Sequence, residues 1–364
     1  CRGMADNLLA GKLPYREHVF EYPPYAIPLF LLPRLFGGGE DNYLDGFKTL
    51  AFVADGLVKL LLLVIGFRRF QTARGLLPLL IYSVAVPFLH FFYLQRYDVW
   101  PAFISLLAVW LFGSKHYLAS GLAVAIGIGV KLYPVLFVPP LFILALREGK
   151  GRRFCAGLAF GLLPIALLSF YLPWWRFAAF QAARGLQVES LYASALWLGH
   201  LFGIADVHWT YTNKWYEVQG APATAVLPWA RGLFIAGVGG STLIVMRTAA
   251  KLQNVSLAQI ARLLLVPLLA FVAFNQVLSP QYMIWLLPLA ALTVLEGNAW
   301  PEWAVTLATI LTPIVYPSWH GDYRRGLDLF ETVVLLSRNL LLATMWISFA
   351  IEASLKLKLI APKQ

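Results

Sequence analysis

Glu17, His18 and Glu21 stand close together in KLPYREHVFEYPP (residues 12–24), framed by Tyr15, Tyr22, Pro23 and Pro24. Proline stiffens the backbone and holds the residue before it extended. A carboxylate fixed there can take a proton from an attacking hydroxyl, so Glu17 and Glu21 are candidate general bases. The plain alternative is a solvated loop with an aromatic anchor. Further groups sit in other short polar breaks. Gln95-Arg96-Tyr97-Asp98 separates two apolar runs. Arg96 and Asp98 can pair locally, and Asp98 can cap the helix that follows; an ionisable residue at a membrane edge otherwise needs a function or a partner. Lys131 follows the glycine-dotted run GLAVAIGIGV, where a point charge suits a phosphate. Arg184, Gln187 and Glu189 offer a guanidinium, a carboxamide and a carboxylate for a sugar or a phosphate, unless Arg184 and Glu189 pair with each other. Asn275, Gln281 and Tyr282 lie in FNQVLSPQY, an odd composition for a plain connector. His320 sits in WHGDYRR, the last polar break.

No HExxH, DxD or Cys/His cluster is present, and no P-loop or GxSxG. We therefore expect no metal and no cofactor. Asp55 and Lys59 are four residues apart inside an apolar run, and we expect them to neutralise each other.

These groups must be positioned by membrane-spanning helices. Of the 364 residues, 60% are hydrophobic and only 13% charged, against about 45–50% and about 25% in soluble domains. That excludes an ordinary soluble domain and a disordered chain. The net charge of +11 belongs to the basic loops that membrane proteins retain inside, so no nucleic-acid partner is expected. Cys1 and Cys155 make no disulfide framework, and Cys155 reads as a small core residue.

Apolar runs predict spans near 43–66, 75–93, 98–113, 117–131, 133–147, 154–172, 226–246, 262–276, 281–296, 302–317 and 331–352, about 11 helices in all. Residues 25–36 and 187–203 are too short or too amphipathic, and read as helices lying in the interface. Arg68–Arg74, Arg147–Arg153, Arg247–Arg262 and Lys356–Lys363 are basic clusters. This span count puts all four on one side, which is the cytoplasm by the positive-inside rule. The opposite side then holds a first loop, 1–42, the turn at 94–98, the turn around Lys131, a large loop, 173–225, the turn 277–281 and the loop 318–330, which contain most of the unusual polar residues. The chain reads as one integral-membrane domain over 1–364. It opens at Cys1 on residues that read like the middle of a loop, so an N-terminal segment with a first span is expected to precede it.

YREHVFEYPP resembles the YRD…EYPP element of bacterial glycosyltransferase family 87. RYDVWPAFISLLAVWL, GVKLYPVLFVPPL, RGLQVESL, NQVLSPQYMIWLLPL and LLSRNLLL are similar to later blocks of that family, in the same order. The resemblance covers nearly the whole chain. It implies an all-α polytopic GT-C fold, and a transferase that takes a hexose, typically mannose, from a polyprenyl-phosphate donor. It also implies an extracytoplasmic active site, with an acidic catalytic residue in the first outer loop, and a bacterial plasma membrane. Where the family has Asp after Tyr-Arg, this chain has Glu17, and the family's main catalytic Asp falls upstream of Cys1.

The reaction expected on this reading is metal-independent and inverting. Lys131, Arg96 and Arg184 would hold the donor phosphate. Asp98, Gln187, Glu189, Asn275, Gln281, Tyr282 and His320 would contact donor or acceptor, the acceptor being a lipid or glycan hydroxyl. Membrane lipids are the remaining partners. Two other readings are a transporter or flippase of a lipid-linked sugar, and a non-catalytic partner in a cell-envelope complex. Transporters often show internal repeats and midplane binding groups. This chain has no clear repeat, and its polar groups gather at one face.

Overall fold

The structure is a computed structural model, which describes residues 2–37, 39–212, 215–296, 300–315 and 326–360. His320 and its neighbours lie outside the described residues. The helices are α1 (Arg2–Leu9), α2 (Pro24–Phe36), α3 (Glu40–Phe70), α4 (Ala73–Gln95), α5 (Val99–Gly113), α6 (Tyr117–Val130), α7 (Tyr133–Arg147), α8 (Gly151–Leu168) and α9 (Arg176–Ala182). After strand β1 (Leu186–Gln187) come α10 (Leu191–Leu201), β2 (His208–Thr212) and β3 (Trp215–Gln219). The remaining helices are α11 (Ala221–Ala249), α12 (Leu257–Phe274), α13 (Met283–Thr293), α14 (Trp300–Val315) and α15 (Leu329–Ile360).

Every run expected to span is helical over most of its described length. Among the described residues, six helices are long and apolar enough to cross a membrane: α3, α4, α8, α11, α12 and α15. The others are shorter than the 11-span count supposed. Fifteen residues of α5 rise only about 22 Å, against a hydrocarbon core of about 30 Å. All 11 residues of α13 are buried, so this helix belongs to a protein core. Local signals set several boundaries. Pro134 has no N–H to offer the Val130 carbonyl four residues back, so α6 stops at Val130, and Pro134 sits instead in the first turn of α7, a 3-10 turn. Ser256 and Gln259 form a reciprocal capping box that starts α12.

The 173–225 stretch holds more than the single interfacial helix expected over 187–203. Ser190 caps α10, its hydroxyl accepting from the Ala193 N–H at 3.2 Å, and Gln187 lies in a strand instead. The three strands form an antiparallel sheet in the order β1-β3-β2, with Trp209 opposite Val218 and Leu186 opposite Val218. That pairing puts Trp209, Tyr211, Tyr216 and Val218 on one face. Strands this short give a weak periodic signal against a chain so rich in aromatics.

The contacts divide the chain into two compact units. One comprises Cys1–Gly75 and Phe92–Ala183, and the other Leu76–Phe91 and Arg184–Gln364. In the first unit α6 and α8 pack backbone to backbone. A methyl group on Gly121 would strike the Phe154 carbonyl, one on Gly157 the Leu118 carbonyl, and one on Gly161 Ala125. This small-residue contact is the usual way for helices to approach closely where lipid removes the hydrophobic drive. Tyr25 bonds the Gly161 carbonyl at 2.6 Å and fills the space beside Gly129, which ties α2 to the end of α6. A cluster around Tyr15, Phe20, Phe30, Tyr97, Val130 and Phe177 then joins the 12–36 region to the turns at 95–98 and 131. In the second unit a cluster around Leu186, Trp197, Val218, Leu327 and Leu335 joins the small sheet to α10 and α15.

Candidate active site

Three turns of the first unit converge on Lys131. Its ammonium lies 2.6 Å from Asp98 Oδ1, 4.8 Å from the Tyr97 ring centre and 5.9 Å from the Tyr22 ring centre. Asp98 is buried. It occupies the N-cap position of α5, but its side chain makes no capping bond, and its partner is Lys131 rather than Arg96. Arg96 is exposed on the same turn. Tyr97 also packs edge-on to Tyr22, and Tyr22 stacks on Phe30 at 5.2 Å. The result is a largely buried cation set in an aromatic corner beside its own counter-ion.

The EHVFEYPP segment lies against this corner. Residues 13–18 form a tight turn in which Tyr15 has φ 65°. The Tyr15 N–H donates to the His18 carbonyl at 3.1 Å, and the Tyr15 hydroxyl donates to the Tyr22 carbonyl at 2.7 Å. Glu17 is exposed, and its Oε2 accepts from the Leu13 N–H at 2.6 Å, so its carboxylate closes its own turn. Glu21 is half-buried. Its carbonyl accepts from Gln181, and among the described residues its carboxylate makes no hydrogen bond or ion pair. Both ring nitrogens of His18 are buried without a hydrogen-bond partner. Burial lowers its basicity, the charge of Lys12 adds to that effect, and Glu17 opposes it.

The second unit gathers the other candidates. Arg184 donates to the Gln187 carboxamide at 3.4 Å, and the Gln187 N–H donates to the Gln276 carbonyl at 3.0 Å. Glu189 does not pair with Arg184. Its carboxylate meets Arg338 of α15 at 2.7 Å. Asn275 turns its side chain back to the Val277 N–H at 2.9 Å. Gln281 is half-buried and makes no side-chain hydrogen bond among the described residues. Tyr282 stacks on Trp285 at 4.1 Å. Elsewhere, Asp55 pairs with Lys59 at 2.7 Å and accepts from Tyr93 at 2.7 Å. Cys155 is exposed, not a core residue. No group of three potential metal ligands occurs among the described residues.

Sequence reasoning missed four residues that organise this second set. Gln276 donates to the Arg184 carbonyl at 2.5 Å and accepts from Arg231 Nε at 3.0 Å. Arg338 and Asn339 bind Glu189. Arg231 and Arg338 fall inside expected spans, and a charged side chain there is itself a functional signal; the outer-loop search passed over both.

The fold is similar to that of ArnT from Cupriavidus metallidurans, seen in a crystal structure bound to undecaprenyl phosphate. The TM-score is 0.51 at 14% identity, over 98% of this chain and 71% of that one. With its apolar helices, this makes the protein a polytopic integral membrane protein of mainly α-helical fold, the small β1-β3-β2 sheet being the departure from the all-α expectation. The sequence profile of the mannosyltransferase (PIG-M) family matches residues 96–351, more than half of the chain, and the chain belongs to that family. It is therefore a glycosyltransferase, the class that the family 87 resemblance implied. The match covers Arg96, Asp98, Lys131 and every candidate after them, and leaves Glu17 and Glu21 outside. No curated protein matches the sequence.

Proposed function

We propose that this chain moves a mannosyl residue from a polyprenyl-phosphate donor to a hydroxyl of a lipid or glycan acceptor, with inversion and without a metal ion. The active face is the extracytoplasmic side of a bacterial plasma membrane. The observation that carries the reading is Lys131, held 2.6 Å from Asp98 at the end of α6, beside Tyr22 and Tyr97. Membership of a mannosyltransferase family supports the sugar. The undecaprenyl phosphate bound to the structural neighbour supports the lipid carrier.

The chemistry asks little more of the side chains. The acceptor oxygen forms a bond to C1 of the sugar as the bond from C1 to the phosphate oxygen breaks. The electron pair leaves with the lipid phosphate, which gains a charge as it departs. A cation aimed at that oxygen lowers the barrier, because it binds the transition state more tightly than the ground state. Lys131 supplies this charge, shared with Asp98 until the phosphate arrives, and Arg96 on the same turn as Asp98 adds to it; Arg184 is read as a ground-state contact of the donor phosphate. The acceptor proton goes to Glu21, whose carboxylate is committed to no internal bond. Glu17 is the weaker base candidate, since its carboxylate already closes a turn. Attack opposite the leaving phosphate inverts the anomeric centre.

The decisive assay offers the purified, reconstituted protein polyprenyl-phosphate mannose and a nucleotide-linked mannose side by side. Transfer from the lipid donor is expected. Transfer from the nucleotide sugar alone would refute the reading.

A further inference from the structure

Arg338 is fully buried on α15, and its guanidinium serves one segment. Nη1 meets Glu189 Oε2 at 2.7 Å, and Nη2 donates to the Glu189 carbonyl at 2.9 Å. Its Nε and Nη2 also bond Asn339 Oδ1, at 3.2 and 2.9 Å. Asn339 in turn donates to the Glu189 carbonyl and to Ser194, each at 3.1 Å. Side chain and backbone of Glu189 are thus gripped together from α15. From that point the segment is tied back residue by residue. The Ser190 N–H donates to the Gln187 carbonyl at 2.9 Å, the Val188 N–H to the Tyr216 carbonyl at 3.2 Å, and the Gly185 N–H to the Glu217 carboxylate at 2.8 Å.

We propose that Arg338, with Asn339, is a positioning residue for the donor-binding arm. It acts through Glu189 to fix Arg184 and Gln187, and Glu189 itself does not touch substrate. This rests on the reading above that Arg184 contacts the donor phosphate. Stability alone is a poor reason for the pair, because well-packed apolar residues commonly replace a buried ion pair at no cost. What the pair adds is direction. A guanidinium is a planar fork that fixes a carboxylate and a carbonyl in one orientation, which a lysine does not do. A donor phosphate needs its cation held to within a fraction of an ångström.

The test uses the full chain in lipid nanodiscs and reads kcat, the donor and acceptor KM, and the melting temperature. The variants are Glu189→Gln, Arg184→Ala, their double mutant and Asn339→Ala. Glu189→Gln should raise the donor KM about tenfold, with kcat and acceptor KM nearly unchanged, since a displaced cation weakens binding without removing a reacting group. The double mutant should be no worse than Arg184→Ala, because the two act through one position. A further variant, Arg338→Lys, should raise the donor KM as Glu189→Gln does, since it keeps the charge and loses the fork. Should Glu189→Gln not fold, Asn339→Ala keeps the ion pair and should still raise the donor KM. An unchanged donor KM in the folded variants overturns the proposal, as does a fall in kcat alone, which would place Glu189 on the reacting atoms. Additive effects in the double mutant overturn the positioning role but leave the phosphate role of Arg184 intact. An unchanged donor KM in Arg184→Ala by itself overturns that phosphate role, and the positioning role with it.

Discussion

Lys131 and Asp98 are 33 residues apart in the chain and meet as an ion pair of 2.6 Å in the first unit. The pair closes the gap between the start of α5 and the end of α6, and two tyrosine rings cover the ammonium.

Lys131→Ala should lower turnover about 100-fold, the scale set by removing one preorganised donor from a developing negative charge. Lys131→Arg should retain much more activity, with similar amounts of folded protein. Asp98→Ala leaves the ammonium buried without its carboxylate and should cost about 3–5 kcal/mol of stability. Thermal melting and a lipid-phosphate-mannose transfer assay read the two effects. Equal activity in parent and Lys131→Ala would remove Lys131 from the mechanism.

Glu21→Gln should reduce kcat by about 100-fold or more, as expected for the loss of a general base. Glu17→Gln should have a much smaller effect, because the Glu17 carboxylate is bonded to the Leu13 N–H and an amide oxygen can still accept that bond. Rate measurements at saturating donor decide between them. Full activity in Glu21→Gln would reject its role as base.

Treatment with EDTA should leave hexose transfer from the lipid donor unchanged. The departing lipid phosphate carries fewer charges than a nucleotide diphosphate, so the ammonium of Lys131 and nearby guanidinium groups suffice. Loss of activity on chelation, restored by Mg²⁺ or Mn²⁺, would overturn the metal-free mechanism.

Sidedness can be read with single cysteines in a background where both native cysteines, Cys1 and Cys155, are replaced by serine. An impermeant thiol reagent on intact cells should label position 204, which is highly exposed, and spare position 150 in the basic turn after α7. The reverse pattern would invert the topology and move the proposed active site to the cytoplasm.

Gly157→Ala should destabilise the protein by about 1–3 kcal/mol, the range for overpacking, because the new methyl group meets the backbone of Leu118 and Leu122. Gly232→Ala is the control. It lies within α11 with nothing within 4 Å of the added methyl group, and should stabilise by about 0.5–1 kcal/mol. Melting temperatures that move together in the two variants would argue against the close α6–α8 contact.

The sequence by itself determined the helices and the class of protein. Long runs of apolar residues can only be satisfied as helices in lipid, and each run from 43–66 to 331–352 is helical over most of its described length. It also marked Asp98, Lys131, Glu21 and Glu189, because a polar group in so apolar a chain stands out. Only the tertiary structure decided what each of these groups meets. Local spacing offered Arg96 to Asp98 and Arg184 to Glu189. The fold gave Asp98 to Lys131, and Glu189 to Arg338 from a helix 149 residues away. The physical reason is that a buried charge takes the cation that helix packing brings within reach, and packing depends on contacts such as those of Gly121, Gly157 and Gly161, which no local pattern encodes. The Gln276 bridge was hidden for the same reason, because its partners Arg184 and Arg231 are distant in sequence; the β2–β3 pairing is local, but strands this short carry too weak an alternation to stand out among so many aromatics.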